Sequence, residues 1–209
     1  MKKLSAILMA IIMTGNVYLL AQSDPTIDPI QSAVTNYFDQ LFGQLKKAAD
    51  QNPEKDTFRE IMKPLVEDID GLYGATLIGT NFVIKQVYFS RNFLARGFDL
   101  KKVDQLTEFY RQMQEKPAPQ LSEPGHGSLL QPALVAMRYP VIKDGEFVNI
   151  VSMMIRTEYF LEAVGLDKVK AYEIVCLGTL AEKEGELSDN PQVLTIKLPS
   201  TEWVIKYSN

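Results

Sequence analysis

Apolar positions along the chain change period several times, and each change marks an element. From Asp28 to about Asp50, Ile30, Val34, Tyr37, Phe38, Leu41, Phe42 and Leu45 recur at helical spacing. Asp28 stands as N-cap, Pro29 at the first helical position and Gln31 at the third, so the spacing predicts a long amphipathic helix. A second helical run with Phe58, Ile61, Met62 and Leu65 begins near Asn52-Pro53 and should kink or stop near Pro64. The period then falls to two. "LYGATLIGTNFVIKQVYFS" holds two β-rich runs around Gly79-Thr80-Asn81, which predicts a hairpin. Helical spacing returns in "DLKKVDQLTEFYRQM" after Asp99 as cap, and "KPAPQLSEPGHGSLLQP" reads as a long loop, the kind that serves as a lid or binding loop. "RYPVIKDGEFVNIVSMMI" is a second hairpin turning at Asp144-Gly145. A short helix around Tyr159 to Val164 follows it, then strands in "AYEIVCLGTLAEKEGE" and "QVLTIKLPSTEWVIKYSN", separated by a charged turn from Glu182 to Asn190. Helices first and mostly antiparallel strands after them mean an α+β fold.

The first twenty-odd residues stand apart. Lys2 and Lys3 precede the apolar stretch "LSAILMAIIM" and "VYLLAQ", with Ala21 as a small residue for cleavage, so residues 1–22 read as a secretory signal and 23–209 as one domain. An uncleaved anchor is the alternative, although Thr14-Gly15-Asn16 interrupts a run barely long enough to span a bilayer. Cleavage leaves 20 Lys and Arg against 26 Asp and Glu, moving the net charge from −4 to −6. That balance argues against nucleic acid or an anionic membrane surface as a general partner. Cys176, the sole cysteine, rules out an intramolecular disulfide, and its place in a β-rich run fits a buried, inert thiol.

Catalytic chemistry finds little support. With one histidine, one cysteine and no G-x-S-x-G, H-E-x-x-H, phosphate loop or C-x-x-C, no set of nucleophile, base and orienting group stands out. Acidic pairs such as Glu67 and Asp68 or Glu182 and Glu184 lie in charged stretches and read as solvated surface, and no D-x-D-x-D-G spacing supports Ca²⁺. Neither an enzyme nor a cofactor is expected.

The order of elements, "YPVIKDGEFVNIVSMMI", the connection "ARGFDL" and the late Trp203 together resemble the extracytoplasmic Cache-type sensor domain, a relative of the PAS fold, over about Asp28 to Asn209. The resemblance implies a single Cache unit: a long N-terminal helix packed on one face of a mostly antiparallel sheet, with a loop-covered small-molecule pocket on the other. Asn149 stands where the family usually has glycine, and Ala136 stands where its citrate and dicarboxylate sensors carry arginine. The ligand class therefore does not transfer.

Alternation puts Leu134, Ala136 and Arg138 on one strand face and Ile150, Ser152 and Met154 on one face of the partner strand. Arg138, Ser152, Ala136 and Met154, with Tyr88, Arg91 and the loop residue His126, are the candidate ligand-binding set. Each has a plainer reading. Arg138 and Arg91 can reach solvent or an acidic neighbour, Tyr88 can be a core-edge aromatic, and His126 can be an exposed loop residue. The leading function is small-molecule binding by a periplasmic or secreted sensor domain without its own signalling output. An interaction protein that docks a membrane receptor, and an unrecognised periplasmic enzyme, are the alternatives. A homodimer through the long helix is a further possible association.

Overall fold

The computed structural model describes residues 28–88, 96–125 and 132–209. Helix α1 (Pro29–Ala49) starts where its cap stands: Asp28 Oδ1 accepts from the backbone N–H of Ile30 at 2.8 Å and of Gln31 at 3.4 Å. Lys46 and Lys47 in the last turn suit the negative end of the helix dipole. Ile30, Val34, Phe38, Leu41, Phe42 and Leu45 are buried as their spacing requires. Helix α2 (Phe58–Val66) begins later than the sequence implied, because Asn52 takes a left-handed turn (φ 48°) and residues after Pro53 form a turn closed by the Phe58 N–H to Glu54 O bond. Pro64 ends α2 two residues on.

Strands β1 (Leu72–Gly79), β2 (Ile84–Tyr88), β3 (Gln120–Leu121), β4 (Leu134–Lys143) and β5 (Glu146–Arg156) form an antiparallel sheet in the order β2-β1-β5-β4-β3. Asp144 (φ 52°) and Gly145 (φ 84°) form the two-residue turn between β4 and β5, a geometry that matches strand twist and needs positive φ at both positions. The expected helix after Asp99 is shorter than read. Asp99 caps only a 3₁₀ turn by accepting from Lys101 N–H, and α3 (Thr107–Glu115) follows a second such turn. Strand β3 lies inside the stretch read as loop, where two residues leave no alternation to detect.

After α4 (Thr157–Ala163), strands β6 (Ala171–Cys176), β7 (Thr179–Glu184), β8 (Gln192–Leu198) and β9 (Thr201–Ser208) form a second antiparallel sheet, ordered β7-β6-β9-β8. The α+β fold with a long helix on antiparallel strands is borne out, with the strands divided over two sheets where the resemblance implied one. The division follows from pairing: β6 to β9 satisfy one another, while β3, at the edge of the first sheet, meets the turn before β9 through Leu121 N–H, which reaches Pro199 O at 3.2 Å and Ser200 Oγ at 3.3 Å.

One core joins the two sheets. Helix α1 lies across β4, β5 and β8, and its apolar stripe is covered by the chain's own strands. A homodimer through this helix would have to use its outward face, where Asn36, Asp39 and Gln40 are exposed. Phe38 of α1, Phe160 of α4 and Trp203 of β9 meet edge-on or tilted at 5.1–5.7 Å between ring centroids. Tyr207 of β9 donates to Asp28 Oδ2 at 2.6 Å and also contacts the Gln192 side chain, fastening the last strand to the helix cap. On the opposite face of the first sheet α3 packs Phe109, Tyr110 and Met113 against Ile78, Phe82, Ile84, Val87 and Ile150, a smaller separate core.

Candidate functional site

That second face carries a polar row. Gln120 lies opposite Arg138, Arg138 opposite Ser152, and Ser152 opposite Thr76, so four polar residues cross the sheet side by side from β3 to β1. Gln120, Ser152 and Thr76 are each only 4% exposed. Such a row in a buried sheet face costs stability unless partners satisfy it. Ala136 and Met154, paired with each other and half-buried, flank the row as alternation predicted.

Arg138 is the charged member. Its guanidinium sits 4.4 Å from the centroid of the Phe109 ring, a cation–π contact supplied by α3. Among the described residues no carboxylate forms an ion pair with it. Loss of solvent pulls the group down to about 10, with neighbouring Tyr110 acting in the opposite direction. The Tyr110 hydroxyl is buried without a hydrogen-bond partner, and burial raises its pKa against the pull of the Arg138 charge. A half-buried cation and an orphaned hydroxyl thus share one corner of the fold.

A cavity of about 220 Å³ opens on this corner. Phe109 and Gln105 border it from the α3 side, Gln120, Ser122, Glu123 and Arg138 from β3, β4 and the segment after β3. Leu106, Glu108, Gln112 and Leu121 also line it, and the second sheet contributes the β6–β7 turn at Leu177 and the β8–β9 turn at Ser200. Leu177 (φ 48°) and Ser200 (φ 61°) both hold left-handed backbone there, and Leu177 is 78% exposed. Cys176 also borders the cavity. Its thiol, 3% exposed, is pushed up to about 12 by burial and then by Glu123, which fits the inert role expected of it.

The structure separates Tyr88 from Arg138. Tyr88 pairs with Ala75, whose side chain belongs to the α1 face, and packs against the main core beside a different depression of about 460 Å³ with Arg59 and Tyr73. Arg91 and His126 lie outside the described residues. Phe109, Tyr110, Gln120 and Thr76 were not singled out from sequence. The "EFY" of α3 was a visible signal of an aromatic face, but nothing local told which sheet face it would cover. No group of three metal-binding side chains occurs among the described residues, and no helix among them is long and apolar enough to cross a membrane.

No family model matches the chain, and no curated protein matches it. Solved structures do. An extracellular ligand-binding receptor from Desulfohalobium retbaense matches with a TM-score of 0.66 at 16% identity over 86% of this chain, which spans 39% of that one's length. The ligand-binding domain of the Pseudomonas fluorescens chemoreceptor CtaA, in complex with L-isoleucine, matches with a TM-score of 0.62 at 13% identity, covering 85% of this chain and 86% of that one. The ligand-binding domain of the Pseudomonas aeruginosa amino-acid chemoreceptor PctC, in complex with GABA, matches with a TM-score of 0.60 at 12% identity, covering 87% and 95%. At such identities the likeness is one of fold. The chain has the α+β Cache-like fold of extracellular sensory domains.

Proposed function

We propose that this protein is an exported small-molecule-binding module whose ligand presents a carboxylate to Arg138. One observation carries the reading: a half-buried guanidinium stacked on Phe109 and lining a cavity, without a carboxylate ion pair among the described residues. A forked, permanently charged donor suits a carboxylate. The solved neighbours include domains bound to L-isoleucine and GABA, both of which carry a carboxylate. Two turns of the second sheet also wall the cavity, so a ligand there would touch both sheets.

A thermal-shift screen against small carboxylates and matched neutral amides tests this. Ligand at 100 times its dissociation constant adds about 2.7 kcal/mol of stability. Carboxylates should raise the melting temperature and amides should not, and equal effects would end the reading. Export is tested separately. Intact mass of the native protein should place its first residue near Gln22, and retention of Met1 would show that the leader is not removed.

A further inference from the structure

The cavity at Arg138 has a neighbour. A second hollow of about 250 Å³ is lined by Gln112, Glu115, Lys116, Ala118, Pro119, Gln120 and Ser200. Three of these residues, Gln112, Gln120 and Ser200, also line the Arg138 cavity, so the two hollows adjoin along α3 and β3. Small-molecule pockets commonly hold ~300–1,000 Å³. Neither hollow reaches that range alone, and together they do.

The lining changes character along this groove. Arg138 lies at one end, while Lys116 lies at the other. Between them stand the amides and hydroxyl of Gln105, Gln112, Gln120 and Ser200, with the carboxylates of Glu108 and Glu123 on the Arg138 hollow and of Glu115 beside Lys116 on the outer one. Gln112 donates to Glu108 at 2.6 Å, and Gln120 is almost fully buried at the boundary shared by both hollows. A glutamine side chain both donates and accepts, as a peptide group does, so a row of them complements a chain of alternating N–H and C=O groups. An apolar tail would offer no hydrogen bond to the amides of Gln105 and Gln120.

We infer that the ligand is a short peptide, its C-terminal carboxylate on Arg138 and its preceding residues running past Gln120 toward Lys116. This assignment rests on the carboxylate reading of Arg138. It is tested by equilibrium dialysis with mass-spectrometric readout on the full exported chain. The probes are a tripeptide pool with free C-termini, the same pool amidated, and a mixture of the free amino acids. Tripeptides should be retained at least tenfold more tightly than amino acids, and amidation should abolish retention. Ala118→Trp, a half-buried position lining only the outer hollow, should bring tripeptide affinity down to the amino-acid level and leave amino-acid binding unchanged. Amino acids retained as tightly as tripeptides, or tripeptide retention indifferent to Ala118→Trp, would overturn the peptide assignment while the carboxylate site stands. Retention of neither pool nor amino acids would overturn both.

Discussion

A guanidinium that gives up water as the chain folds carries a cost that a bound anion removes. Arg138 stays protonated at neutral pH, since its lowered value is still about 10, and the cost is therefore present in the empty protein. Arg138→Met keeps the stem and removes the charge. The empty variant should melt at or above the parent temperature, while carboxylate affinity measured by calorimetry falls by ~1.5–3 kcal/mol, the scale of a charge-assisted hydrogen bond. A strongly destabilised variant would instead make Arg138 a structural partner. Other buried groups set the alkaline limit. Tyr37, Tyr172 and Tyr207 are each raised from 10.0 to about 12 and Cys176 from 9.0 to about 12, chiefly by burial. Above pH 9 to 10 the unfolded chain releases protons that the fold retains, so stability must fall as pH climbs toward 12. Arg138 works the other way, since its charging cost is relieved as pH passes 10, but it is one group against these four and Tyr110, which is also raised by burial. Urea midpoints at pH 8, 10 and 11 should decrease in that order. The placement of Ala136, Arg138, Ser152 and Met154 on one face was legible because a strand's period of two is local. Tyr88 was not, because its face depends on pairing with Ala75 and on a bulge between Leu77 and Ile78, both set by another strand.

Helices and hairpins read well where their signals are dense. The α1 stripe, the Asp28 cap and the Asp144-Gly145 turn are all present as spacing and composition implied. Leu41, 4% exposed beneath α1, should tolerate Leu41→Asp poorly: truncation of a buried leucine alone costs ~2–5 kcal/mol, and an unpaired charge adds to it. A chemical-denaturation midpoint that did not move would mean α1 is not packed on the sheets as described. Weakly signalled elements fared differently. The run after Asp99 breaks into 3₁₀ turns before α3, and β3 is held by Arg138 and Met137 across the ladder rather than by any propensity of its own. Both flank the cavity, so half of the site was written in segments without a period to read.

At the scale of the whole molecule, the number of sheets was the least legible feature. Nothing in a strand's own residues says whether β6 extends the first sheet or founds a second, because the answer lies in which edges are already satisfied. The outcome matters for function. α1 and the Phe38–Phe160–Trp203 cluster weld the two sheets on one side, while the bonds from Leu121 N–H to Pro199 and Ser200 tie them beside the cavity. A ligand bound at Arg138, as proposed above, would touch residues of both sheets.

The bond from Tyr207 to Asp28 does more than cap a helix. It makes the described chain nearly a closed ring, its last strand ending beside its first helical turn. A circular permutant should therefore be tolerated, with Asn209 joined to Asp28 through a short Gly-Ser linker and new ends opened between Asp144 and Gly145, a surface turn outside both cavities. Retained circular dichroism and a single unfolding transition are the expected result, and an unfolded product would show that the β4–β5 turn, rather than the spatial closure of the ends, organises the fold.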